Sequence, residues 1–264
     1  SGRRPGTNAG CIGMKMILSP AKKMNRDSDT FAFAGLPVFL EQTKEILIWL
    51  KSKTYEELQA LWKCNDKIAE QNAKRLESMN LHKNLTPPVL SYEGIAYQYM
   101  APAVFENGHL SYIEEHLRIL SAFYGVLRPM DGVVPYRLEM QAKAGISGCR
   151  DLYDFWGEKL YREVRDESGV IINLASKEYA KCIEKYLTPD DTYITCVFGE
   201  TVQDRFVTKG TYAKMARGEM VRYMAEHQIE NPKDLKSFDR LNYKYREDLS
   251  SDWQYVFERY TAVK

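Results

Sequence analysis

The chain lacks most of the signatures that announce a function at sight. Its four histidines, His82, His109, His116 and His227, form no HExxH pair and no ExxH arrangement, so no dedicated metal site is expected. The five cysteines show no CxxC spacing, which excludes a zinc ribbon and a short disulfide framework. GxxxxGK and GxGxxG are both absent, so neither a nucleotide P-loop nor a dinucleotide fold is supported, and no cofactor is implied. No GxSxG is present and no Ser-His-Asp order can be argued. No apolar run approaches the ~20 residues that span a bilayer. Charge is balanced too, with 37 Lys and Arg against 36 Asp and Glu, which excludes a globally basic nucleic-acid coat.

What is present is a 264-residue chain, 44% hydrophobic, able to bury a substantial core. The first thirteen residues, SGRRPGTNAGCIG, are small, polar and aperiodic, and an apolar run starts at Met14. They are expected to be an appended segment, with one domain over residues 14–264. Their two arginines leave the remainder formally −1. With Cys11 set aside, Cys64, Cys149, Cys182 and Cys196 fit free thiols of a reducing cytoplasm.

Hydrophobic periodicity supplies the elements. Lys15–Leu18 reads as a strand ended by Ser19-Pro20. Pro37 can open a helix whose stripe of Phe39, Ile46 and Leu50 runs through Lys51. Thr54 with Glu57 makes a capping box for a helix through Trp62, and Asn65 can cap another through about Met79. Helices are expected around Ile95–Met100 and Leu110–Leu117, then a strand over Ile119–Phe123. Asp151 opens an amphipathic helix through Val164, and 169–174 reads as a buried strand. Thr192–Phe198 and Gln203–Val207 resemble a hairpin around Gly199, Tyr212–His227 is a helix, and Trp253–Phe257 alternates as a strand. The expectation is a single α+β domain, a mixed sheet of mostly non-sequential strands wrapped by helices.

Candidate chemistry gathers in a few places. An apolar run stops at Gly125, and a proline-punctuated loop then delivers Arg128, Asp131, Tyr136, Arg137 and Glu139 within a dozen residues. This reads either as a surface built to hold something or as a turn whose arginines are neutralised by Asp131 and Glu139. On the Tyr212 helix, Lys214, Arg217, Gly218, Val221 and Arg222 share one face. A mid-helix glycine costs roughly 1 kcal/mol against alanine, so Gly218 suggests close approach of a phosphate backbone or of another element. Ser19 and Lys22 follow the first strand, where an α/β crevice can hold an anion. Ser176 is a natural N-cap, and Asn173 at the preceding strand end could read a base edge. Tyr92 and Tyr97 flank Gly94 and could stack bases, or pack in the core.

These motifs resemble the YaaA family of bacterial peroxide-stress proteins, long catalogued as uncharacterised. The matching segments are SPAK at Ser19–Lys22, Tyr92-x-Gly94-x-x-Tyr97, LSAFYGVLRPMD at Leu120–Asp131 and PYRLEM at Pro135–Met140. DLYDFWG at Asp151–Gly157, NLASKEY at Asn173–Tyr179 and YAKMARGEMVR at Tyr212–Arg222 complete the set. They occur in family order over essentially the whole chain from Met14. Lys23-Met24 varies the residues after SPAK, and residues 189–210 are less characteristic. The resemblance implies a cytoplasmic single-domain protein with an unusual mixed α/β fold. It further implies a role in surviving hydrogen peroxide by limiting unincorporated intracellular iron, and binding of double-stranded or distorted DNA through a basic cleft. A helix-hairpin-helix-like element is attributed to the family, and the turn around Gly125 is a candidate for it.

Two functions of different classes remain. In the first, Lys22, Arg128, Arg137, Lys214, Arg217 and Arg222 neutralise DNA phosphates while Tyr92, Tyr97 and Asn173 lie near bases. In the second, the same cleft houses an enzyme acting on a nucleobase or nucleotide, with Asp131, Glu139 or Glu178 as the acid or base. Direct coordination of iron has no ligand spacing to support it.

Overall fold

The computed structural model describes residues 13–261. Strand β1 (Lys15–Leu18) leads through an extended arm to three helices, α1 (Leu40–Lys51), α2 (Tyr55–Trp62) and α3 (Asp66–Glu77). Helix α1 begins three residues after Pro37, so the proline precedes the helix and does not form its first turn. The α2 cap forms as the sequence predicts: Glu57 N donates to Thr54 Oγ1 (3.2 Å) while Glu57 Oε1 accepts from Thr54 N (3.0 Å). Asn65 Oδ1 accepts from Ile68 N at 2.9 Å and opens α3.

Short helices α4 (Pro88–Ser91) and α5 (Ile95–Met100) and the longer α6 (Asn107–His116) lead directly into β2 (Leu117–Ser121). A tight turn at Ala122–Tyr124 then returns as β3 (Gly125–Leu127), antiparallel to β2 with Ser121 opposite Gly125. The turn around Gly125 thus joins two strands, not two helices, which corrects the candidate hairpin between helices. It is buried: Thr43 Oγ1 donates to Phe123 O (2.9 Å) and Trp156 Nε1 to Ala122 O (2.8 Å). At φ +77° a β-carbon on Gly125 would sit 2.8 Å from both the Phe39 and Trp156 rings, so only glycine fits.

The helix opened by Asp151 is two helices, α7 (Leu152–Trp156) and α8 (Lys159–Val164), broken at Gly157, whose φ of +52° ends the first. Strand β4 (Val170–Leu174), helix α9 (Lys177–Glu184) and the eleven-residue β5 (Thr192–Val202) follow. The hairpin partner β6 (Arg205–Val207) turns at Gln203 and Asp204, both at positive φ, and not at Gly199, which lies within β5 under the Phe206 ring. Helix α10 (Gly210–Glu226), the three-residue edge strand β7 (Tyr243–Tyr245) and β8 (Gln254–Arg259) complete the chain.

Among the described residues the sheet has eight strands in the order β3-β2-β1-β4-β5-β8-β7, with β6 off this path and paired to β5. Its middle, β2-β1-β4-β5-β8, is parallel throughout, and the antiparallel pairs sit at the margins. Every residue of β2 and β4 is buried, as expected of parallel strands covered on both faces. The fold is therefore a mixed α/β domain. Its strand order reverses between β1 and β4: the chain leaves β1 for β2 on one side and β4 for β5 on the other. In open α/β sheets that reversal opens a crevice beyond the strands' carboxyl ends.

Candidate functional site

The crevice is a cleft of about 580 Å3. Its floor is the chain leaving β1, Ser19–Lys23, and the chain leaving β4, Leu174–Tyr179. The two are tied together: Ser19 Oγ accepts from Ser176 N (2.8 Å) and donates to Ser176 Oγ (3.1 Å), and Tyr97 OH donates to Ser19 O (2.7 Å). Ser176 occupies the N-cap position of α9, but its hydroxyl serves this bridge and makes no capping bond. The walls come from Glu93–Gln98, from Tyr136–Gln141 and from Lys214 and Arg217 of α10. Helix α10 reaches the cleft because Gly218 lets it lie against α5. A β-carbon there would fall 1.8 Å from Ala96 O, so the close approach anticipated at Gly218 is that of another helix.

Five cations line the cleft against three carboxylates, and the pairing among them is uneven. Lys22 Nζ lies 3.1 Å from Glu139 Oε1, and Lys23 Nζ 3.2 Å from Glu93 Oε2. Glu93 is held below its usual range, chiefly by the Asn25 amide, with Lys23 adding to the effect. Arg137, Lys214 and Arg217 form no ion pair among the described residues. The Arg137 Nε is buried without a hydrogen-bond partner. Burial lowers the Arg217 pKa, and the Cys196 thiol that also acts on it is pushed up by burial to about 12 and so supplies no counter-charge. An unpaired guanidinium held partly away from water is costly unless something anionic meets it. Glu178 is raised, first by burial and further by Glu139, against the pull of the Gln141 N–H that donates to its Oε2 at 3.2 Å.

Comparison with known proteins supplies the context. A family profile described as "Peroxide stress protein YaaA" matches residues 14–249. The chain belongs to the YaaA family of peroxide stress proteins. Its relatives include a UPF0246 protein of Agathobacter rectalis, 66% identical over 94% of this chain and the whole of the relative. A UPF0246 protein of Lachnoclostridium phytofermentans is 55% identical over 92% of this chain and 96% of its own length. One from Desulfitobacterium hafniense is 53% identical over 95% of this chain and all of its own.

In this YaaA-family fold the sequence's candidate residues fall into three groups. Lys22, Arg137, Glu139, Glu178, Tyr97, Lys214 and Arg217 meet in the cleft. Arg128 and Asp131 do not. They lie where β3 ends beside the start of β2, at the opposite end of the sheet, in a second cavity of about 320 Å3 shared with Glu114, Arg118 and Glu163. Asp131 Oδ2 accepts from Arg128 N (2.8 Å), and burial raises the Asp131 pKa to about 7. The dense polar stretch from Arg128 to Glu139 therefore lines two separate cavities, one at each end of the strands. Arg222 is also away from the cleft: it pairs with Glu226 (2.6 Å), donates to Met100 O (3.3 Å) and stacks on Phe105, fixing α10 to the end of α5.

Tyr92 and Asn173 belong to the interior. Tyr92 is 2% exposed, its hydroxyl 2.6 Å from that of Tyr136, which in turn meets Ser121 Oγ at 2.6 Å. Asn173 is 4% exposed, donates to Thr195 Oγ1 (3.3 Å) and accepts from Ala175 N (2.9 Å). Neither presents a free edge or face to a base. Sequence reasoning missed Glu93, Gln98 and Gln141 as lining residues. Glu93 lay inside the Tyr92-Gly94 motif and could have been found there; the other two carry no local signal.

Proposed function

We propose that this peroxide stress protein binds double-stranded or distorted DNA through the cleft between β1 and β4. In the proposal Arg137, Lys214 and Arg217 take phosphate oxygens, with Lys22 and Lys23 at the mouth. One observation carries the reading: three arginine and lysine side chains line the fold's natural ligand crevice with no ion-pair partner among the described residues. The connection to iron follows from the same charges. Protein cations that neutralise phosphates release the counter-ions condensed on them, and iron(II) held at a phosphate leaves in that exchange. The protein thus limits damage from unincorporated iron without coordinating it. Among the described residues no group of His, Cys, Asp and Glu side chains is placed to hold a metal ion. The proposed setting is the cytoplasm; among the described residues no helix is long and apolar enough to cross a membrane.

A second reading, an enzyme acting on a nucleobase or nucleotide, is favoured by one feature: Glu178 sits in the cleft with a raised pKa, as a general acid requires. Asp131 drops out of that role, since it lies in the other cavity.

The test is a plasmid-nicking assay with iron(II) and hydrogen peroxide. The wild-type protein should reduce strand breaks, and the Lys214→Ala/Arg217→Ala variant should protect far less. Equal protection by both proteins would remove the cleft from the account.

A further inference from the structure

The second cavity, the exposed apolar side chains Ile48, Val104 and Trp253, and the buried thiols carry no ligand argument. The cleft itself carries one that goes further than phosphate binding. A volume of about 580 Å3 falls within the range of roughly 300–1,000 Å3 typical of small-molecule sites. A duplex, whose major groove alone is about 12 Å wide, can lie across the mouth of the cleft but does not fit within it. Arg217 lines this space half-buried. The lining is also too varied for phosphate alone. Glu178 lines the same cleft as the unpaired cations, where a bare phosphate would gain nothing from a carboxyl group, and Gln98 adds an amide. Carboxyl and amide groups suit a sugar hydroxyl or the edge of a base.

We infer that the cleft holds a single nucleotide unit, its phosphate on Arg217 and Lys214 and its sugar or base on Glu178. This rests on the DNA-binding reading and sharpens it: DNA would deliver the unit by everting one nucleotide, which is least costly at a bulge or mismatch. A free nucleotide would present the same chemistry. Distorted DNA is then preferred because its unstacking cost is already lowered, and not because it carries more charge.

The experiment uses the full-length protein with three probes: thymidine 5′-monophosphate, inorganic phosphate, and a duplex carrying 2-aminopurine in a one-nucleotide bulge. On the inference, the monophosphate binds saturably and competes with the bulged duplex, and inorganic phosphate binds at least about tenfold more weakly, one hydrogen-bonding group's worth. The 2-aminopurine brightens on binding as it unstacks. Glu178→Gln weakens the monophosphate about tenfold and leaves inorganic phosphate unchanged. Binding of bulged and regular duplex with equal affinity, no brightening and no competition by the monophosphate would overturn the inference while leaving DNA binding intact. Monophosphate binding with no affinity for any DNA would support the nucleotide site and overturn the DNA reading. Equal affinity for phosphate and monophosphate, or no binding of either, would sink the nucleotide assignment.

Discussion

Asp131 and Glu178 are both acids whose pKa is raised by burial, and they answer to different demands. Glu178 lines an open cleft, whereas Asp131 closes the turn after β3, accepting the Arg128 N–H in a cavity it shares with Glu114. The Asp131 carboxyl is pushed up to about 7, mainly by burial, with Glu114 adding and the Arg128 N–H opposing. The sign follows from proton linkage. The folded state holds this proton at pH values where the unfolded chain, near the ordinary aspartate value, has lost it. The group therefore favours folding fully below about pH 4, and that contribution is lost as pH rises through 7, on the order of 3–4 kcal/mol across the window. Asp131→Asn keeps an oxygen for the Arg128 N–H and carries no charge to desolvate. In urea denaturation from pH 5 to 8, wild type should lose stability relative to this variant as pH rises. Parallel curves over that range would show that Asp131 ionises without penalty.

At the scale of elements, local chemistry announced itself where a cap or a period was complete. Thr54 with Glu57, and Asn65, placed the starts of α2 and α3 because each signal acts within four residues. Features set by distant contacts were not legible. Gly125 looked like the end of a strand and is the start of one, because its neighbours are Phe39 and Trp156 from other elements. The helix after Asp151 read as continuous since its apolar stripe persists through Gly157, where the backbone turns to positive φ. Strand β7, Tyr-Lys-Tyr, is too short for a period of two to register. Gly218 gives the element-scale prediction. Its α-hydrogen side faces Ala96 O so closely that a methyl group there forces α10 off α5. Gly218→Ala should lower stability by about 1–3 kcal/mol or more, despite alanine's better helix propensity. A urea midpoint at or above wild type would contradict this packing.

For the whole molecule, the sequence marked the right kinds of residue for the cleft but could not say which of them meet. Lys22, Arg137, Glu139, Glu178, Lys214 and Arg217 come from four separate stretches, and the strand order that joins them, with β4 inserted beside β1, leaves no trace in local pattern. Arg128 and Arg137 are nine residues apart and were taken together; the chain between them crosses from one end of the sheet to the other. The consequence for binding is specific: of the six basic residues that the sequence nominated, four face the cleft and two, Arg128 and Arg222, do not.

The most direct test is the salt dependence of duplex binding, measured by fluorescence anisotropy for wild type and Lys214→Ala/Arg217→Ala, with Arg128→Ala as the comparison. Each phosphate neutralised contributes about 0.9 to the slope of log K against log salt. Lys214 and Arg217 share one phosphate, so the double variant should bind more weakly with a slope shallower by about 0.9, and Arg128→Ala should retain the wild-type slope. A double variant with the wild-type slope, or an Arg128 variant that loses it, would place the phosphate contacts outside the β1–β4 cleft.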